Sequence, residues 1–275
     1  MSGDAGDPSA LPEQAPATEG MAPVPDGRVW CWDTGGDGQA VVFVHPNAGS
    51  GLSWPYQQPV FAKAGYRVVG YSRRNFYKSD LANTDDPGIA SEDLHHLVTF
   101  LSLDRFHLIG VAAGGSVATD YALSHPERLR SLTICGRTAG VSKGAVAEAV
   151  AAAKPQLWNR LPRAFQEIGP SYRVANPDGV KRWSEINRLS EARKGARQKN
   201  ASVITAEKLK SMRIPVLLMT GSADLTAPPS LMRLVAKQIP NSELVIVGEA
   251  GHSIYWEQPE VFNRIVLDFI GRNGG

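Results

Sequence analysis

Six short, near-continuously apolar runs, at residues 41–45, 67–72, 107–111, 131–135, 216–220 and 244–247, constrain this chain more than any other feature. A strand wetted on one face alternates apolar and polar residues, whereas a strand covered on both faces is apolar throughout. Between several runs lie stretches of helical periodicity, at 89–103, 114–124, 229–238 and 259–270. Strand and helix in alternation predict an α/β fold, a mostly parallel sheet flanked by helices. The 275 residues are enough for one such domain with a substantial core.

Two segments fall outside the rhythm. Residues 1–25 are Ala, Pro, Gly and acidic residues with little to bury, and the expectation is a disordered leader. Residues 140–213 contain helical patterns, at 145–153, 156–166 and 180–193, but no strand-like run. The expected organisation is a core at 26–139 and 214–275 with a helical cap at 140–213, set over the carboxyl edge of the sheet, where ligands bind in such folds. Residues 140–212 hold fourteen Lys or Arg against six Asp or Glu, a local excess of eight positive charges. That excess is either a solvated surface or a field that attracts an anionic substrate.

Several classes are excluded. A net charge of +2 does not suit a dedicated nucleic-acid binder. Cys31 and Cys135 cannot make a disulfide framework and match no metal spacing. No run reaches the length of a membrane span, and no secretory signal opens the chain, so the expectation is a cytoplasmic protein with neither membrane nor nucleic-acid partner. His95 and His96 have no companions at zinc-ligand spacing, and no G-x-G-x-x-G follows a strand. Neither a metal nor an organic cofactor is implied.

The stretch that carries chemistry is His107-Leu-Ile-Gly-Val-Ala-Ala-Gly-Gly-Ser116, a strand running into a turn of small residues and then a helix. It resembles the nucleophile elbow G-x-S-x-G of the α/β-hydrolase superfamily, with Gly110 and Gly114 as its glycines. Further members of the resemblance follow in that superfamily's order. Gly221-Ser-Ala-Asp-Leu-Thr-Ala-Pro228 is similar to the loop bearing the catalytic acid, here Asp224, and Gly251-His252 to the site of the catalytic histidine. His45-Pro-Asn-Ala-Gly-Ser50 resembles the H-G-x-x-G-S oxyanion loop, with Pro46 in place of Gly. The resemblance implies that the backbone N–H groups of Asn47 and Ala113 would hold an oxyanion. The segment Gly70-Tyr-Ser-Arg-Arg-Asn-Phe-Tyr-Lys-Ser-Asp80 is similar to D-x-R-G-x-G-x-S but departs from it at Ser72, Asn75 and Tyr77.

The nucleophile position itself is Ala112, and a methyl group cannot attack a carbonyl. Either a serine has been replaced, which retention of the partner groups favours, or the chain does without the nucleophile. The resemblance therefore implies a serine-type hydrolase framework disabled at Ala112, acting on a carboxylic ester or lactone of a small anionic or aromatic substrate. C–C bond cleavage of a diketo acid is the enzymatic alternative, and a ligand-binding or receptor-like member is the non-enzymatic one. Trp54, after the oxyanion loop, and Trp158 and Trp183, within the cap, are the aromatics expected nearest the substrate. Nothing in the sequence decides an oligomeric state.

Overall fold

The structure is a computed structural model, and it describes residues 11–153, 157–190 and 195–274. Eight strands form one sheet: β1 (Thr18–Val24), β2 (Gly27–Asp33), β3 (Ala40–Val44), β4 (Arg67–Tyr71), β5 (Phe106–Val111), β6 (Leu129–Cys135), β7 (Val216–Gly221) and β8 (Ser242–Val247). Their spatial order is β1-β2-β4-β3-β5-β6-β7-β8. From β4 to β8 every pair is parallel, while β1 and β2 pair antiparallel with each other and β2 with β4.

The expected α/β class holds and all six apolar runs are strands, but the run at 244–247 lies in edge strand β8, where only Val247 is buried. Alternate residues of those runs serve opposite faces. Val42, Val44, Leu108 and Leu218 pack in one core, while Val41, Phe43, Ile109 and Met219 pack in another. Helices cover both faces: α1 (Gln58–Lys63), α2 (Ala90–Phe100), α3 (Ala113–Ser124), then, past the cap, α9 (Pro229–Ala236), α10 (Ile254–Glu257) and α11 (Pro259–Arg272). Leu94, Leu97 and Tyr121 of α2 and α3 fill the first core; Phe61, Phe262 and Phe269 of α1 and α11 fill the second.

The expected disordered leader is corrected where it meets the sheet. Within it, β1 pairs with β2 through seven registered positions, and Ala22 and Val24 are buried. Ahead of it, Ala15 and the Gln58 side chain exchange hydrogen bonds of 2.8 and 2.7 Å. An antiparallel edge hairpin needs few large apolar side chains because only one face is covered, so Thr-Glu-Gly-Met-Ala-Pro-Val carried no apolar-run signal. Residues 1–10 lie outside the described residues.

Between β6 and β7 the segment expected to form the cap contributes α4 (Ala145–Ala153), α5 (Arg163–Glu167), α6 (Pro170–Ala175), α7 (Pro177–Ser190) and α8 (Ala206–Lys210), with no strand among its described residues. Asp120 of α3 ties the returning chain down by accepting from Ala201 N at 2.7 Å, besides the Ser91 hydroxyl at 2.6 Å. The chain passes from β3 to β4 on one side and then to β5 on the other, so strand order reverses between β3 and β5. Crevices open outside the carboxyl ends of strands at such a switch point. Asn47 and Ala112 stand at those two ends.

Candidate active site

The elbow at the end of β5 is tight for a definable reason. Ala112 has φ 49° and ψ −118°, a positive φ that costs a residue bearing a Cβ roughly 1–3 kcal/mol. Packing enforces it: Ala112 N donates to Cys135 O at 2.8 Å, and Gly115 N donates to Ala112 O at 3.0 Å. A side chain at Gly114 would collide with the Val44 and His45 carbonyls, and one at Gly110 would lie 2.6 Å from Gly114 O. Strand and helix therefore approach closely only because both positions are glycine. Ala112 is almost wholly buried, its methyl at the head of α3.

The loops after β7 and β8 bring Asp224 and His252 together. His252 Nδ1 lies 2.8 Å from Asp224 Oδ2, both side chains buried. The other carboxylate oxygen accepts from Thr226 N at 2.7 Å and Ala227 N at 2.8 Å. Burial alone would raise the Asp224 carboxyl, but the imidazole's charge and these donors outweigh it and hold it below the ordinary range. Nδ1 thus bears the proton given to Asp224, and Nε2 points away from it.

A third group, invisible in the sequence, faces Nε2. Glu167 of α5 sets Oε2 3.7 Å from it, and that oxygen has no hydrogen-bond partner. The Glu167 carbonyl accepts from His252 N at 3.1 Å and Ser253 N at 2.9 Å, so the cap grips the histidine loop through backbone as well. Glu257 completes the clamp, taking N–H bonds from Gly169 at 3.0 Å, Gly251 at 2.8 Å and Ser253 at 3.1 Å. Burial pulls the His252 imidazole down, but Asp224 and Glu167 together override it and raise it to about 9. Burial raises the Glu167 carboxyl above its usual range, with His252 opposing.

The loop after β3, which carries Asn47, is held by His45. Its Nδ1 is 2.7 Å from Pro46 O, and its Nε2 accepts from Arg73 N at 3.0 Å. One nitrogen donating and one accepting requires the neutral ring. Burial and the charge of Arg73 hold it there by lowering its pKa well below normal. Asn47 and Ala113 line one cavity of about 590 Å³ together with arginines from the ends of β4 and β6. Asp224 and His252 line a separate cleft of about 510 Å³ with Phe165, Ile168 and Leu225. Segment α5 divides the two, with Arg163 in the first lining and Gln166 in the second.

The tryptophans fall elsewhere than expected. Trp54 is buried against Phe43 and Tyr255 at ring separations of 4.7 and 5.2 Å, and Trp183 is buried in the same core. Trp158 sits in a short turn of the cap, its carbonyl accepting from Gln166. None of the three borders either cavity beside the elbow. Large rings near a predicted pocket are also the best fillers between sheet and cap, and packing claimed Trp54 and Trp183. Arg73 and Arg137 border the cavity at the carboxyl edge of the sheet; the one sequence signal for them is that each follows a strand end there. Among the described residues no cluster of His, Cys, Asp or Glu could hold a metal, and no helix is long and apolar enough to cross a membrane.

A strand-turn-helix elbow, an acid after β7 and a histidine after β8, all at one sheet edge, define the α/β-hydrolase architecture. The family model described as alpha/beta hydrolase fold matches residues 39–259, and the chain belongs to that family. It is 29% identical to a Caulobacter sp. (strain K31) protein bearing the name putative carbamate hydrolase RutD, across 85% of this chain and 91% of that one. It is 28% identical to the 2-hydroxy-6-oxononadienedioate/2-hydroxy-6-oxononatrienedioate hydrolase of Burkholderia vietnamiensis (strain G4), across 89% and 91%. In fold it is similar to carboxylesterase CesB (YbfK) from Bacillus subtilis, with a TM-score of 0.74 at 22% identity over 94% of this chain and 93% of that one.

Proposed function

We propose that this chain is a hydrolase framework for a carboxylic ester or lactone of a small acyl compound, arrested before the acyl-enzyme by Ala112. The observation that carries the reading is the buried 2.8 Å pair of His252 and Asp224 at the same sheet edge as the strained elbow. With a serine in place of Ala112, the hydroxyl would attack the carbonyl carbon and His252 Nε2 would take its proton. Asp224 would orient the ring and stabilise the imidazolium, and His252 would then protonate the leaving group. The amides of Asn47 and Ala113 would hold the oxyanion. With alanine, binding survives and covalent chemistry does not.

C–C cleavage of a diketo acid is the second reading, favoured by the arginines bordering the oxyanion loop. The hydrolases of 2-hydroxy-6-oxo dienoic acids among its relatives support it. The test is Ala112→Ser assayed on aryl esters, lactones and vinylogous diketo acids beside the unaltered chain. Turnover should rise by at least about 10³-fold on one class. Equal rates for the unaltered chain and the Ala112→Ser variant on every substrate would end the acyl-enzyme reading.

A further inference from the structure

The cavity beside the oxyanion loop carries charge that the protein itself leaves unanswered. Its described lining includes Arg73, Arg74, Arg137, Arg163 and Arg197 and not one carboxylate. Two of these have partners elsewhere: Arg74 meets Asp93 at 2.7 Å, and Arg163 lies 3.8 Å from Glu167. Arg73, Arg137 and Arg197 form no ion pair among the described residues.

Their remaining contacts are neutral. Arg73 donates from Nη2 to Asn47 Oδ1 at 2.8 Å and lies over the Phe76 ring, while its Nε is buried without an acceptor. Arg137 Nε donates to the Ser116 hydroxyl at 2.7 Å. Burial lowers Arg73 to about 10, with the charges of Arg197 and Arg137 adding to the fall against the opposing influence of Tyr71. Burial and Arg197 likewise lower Arg137. The first turn of α3, with Ala113 and Ser116 in the lining, brings further partial positive charge. Half-buried like charges with an orphan donor are unfavourable until an anion joins them.

We propose that this cavity binds a compact dianion, a small acyl compound whose two anionic groups engage Arg73 and Arg137, with Arg197 closing the site from the solvent side. Two groups are required because two half-buried guanidiniums, Arg73 and Arg137, lack a charge partner among the described residues; Arg197 is exposed and water can serve it. The planar guanidinium fork fits carboxylate and phosphate oxygens alike. Asn47 and Ala113 belong to both this lining and the oxyanion hole, so the anionic groups extend from the reacting carbonyl. The assignment takes the acyl group from the hydrolase reading above, but binding does not depend on turnover. Failure of Ala112→Ser to hydrolyse esters would leave it standing.

The experiment is calorimetric titration of the unaltered chain with glutarate, its monomethyl ester, its dimethyl ester and inorganic phosphate, at low and high salt. Affinity should rise roughly tenfold for each methyl ester removed, and the gain should persist at high salt because the contacts are direct. Phosphate binding as tightly as glutarate would support the dianion site and make a phosphoryl group one of its ligands. Arg137→Gln should weaken glutarate roughly tenfold and leave the diester unchanged. Arg197→Gln, at an exposed position that folding tolerates, should weaken glutarate in the same direction by less. Equal affinity for diacid and diester, or indifference of glutarate binding to both substitutions, would overturn the proposal.

Discussion

The two cavities that meet at α5 are opposites. On the dyad side Asp224 has an internal partner for each carboxylate oxygen, and the walls are Phe165, Ile168 and Leu225. On the oxyanion side Arg73 and Arg137 have only neutral partners, and one Arg73 donor has none. In the proposed reading the first is preorganised machinery, whose groups must not reorganise during reaction. In the same reading the second is a receptor, incomplete until a ligand arrives. Between them stands Glu167, a cap carboxylate set against the dyad's imidazole.

The strongest way to break this contrast is to remove the dyad's acid in an enabled enzyme. In an Ala112→Ser background, Asp224→Asn should lower kcat by about 10⁴-fold, because the imidazole loses the carboxylate that fixes its tautomer. His252→Ala should cost as much as losing the serine, since these groups act as a unit. Unchanged turnover in Asp224→Asn would assign the acid role to another group, with Glu167, 3.7 Å from Nε2, the first candidate.

Deleting residues 1–25 tests whether the edge hairpin belongs to the scaffold that holds both cavities. It removes β1, the buried Ala22 and Val24, and the bond of Glu19 to Trp30 Nε1 at 3.1 Å. Losing that apolar burial should cost about 2–3 kcal/mol and lower the melting temperature by about 5 °C or more. Calorimetric scanning would expose the opposite result, an unshifted transition.

Glu167→Gln sharpens the contrast at its boundary. Removing one of two carboxylates beside the imidazole should move the His252 pKa down from about 9, read by NMR of the ring in the unaltered Ala112 background. In Ala112→Ser the rising limb of the pH–rate profile should shift to lower pH with it. A His252 titration untouched by Glu167→Gln would show the two groups to be uncoupled.

The smallest expected effect is on stability against pH. His252 is raised on folding, so its contribution is complete below its unfolded value of about 6.5 and is lost as pH climbs through about 9. Asp224 is lowered on folding, so its contribution is present above its unfolded value of about 3.9 and fades as pH falls through its depressed folded value. Denaturant midpoints should therefore form a plateau from mildly acidic to neutral pH and decline on the alkaline side. Asp224→Asn should flatten that alkaline decline.

The sheet's parallel core was legible in the chain because strands buried on two faces have no polar positions to blur the pattern, as in Val41–Val42–Phe43. The elbow glycines were legible because close approach of strand and helix demands them, and Asp224 and His252 because the loops that carry them resemble, in order and placement, those of the α/β-hydrolase superfamily. Strand β1 was not, since an edge strand with one face exposed looks like any polar segment. The roles of Trp54, Trp183, Glu167, Arg73 and Arg137 were decided only when the cap closed on the sheet. Charge neutralisation and ring packing depend on which side chains arrive within a few ångströms, and Glu167 meets His252 across 85 residues of sequence. Periodicity acts over neighbouring residues, while electrostatics and packing act through space, so the chain announces its scaffold and only its folded form shows which charges remain open.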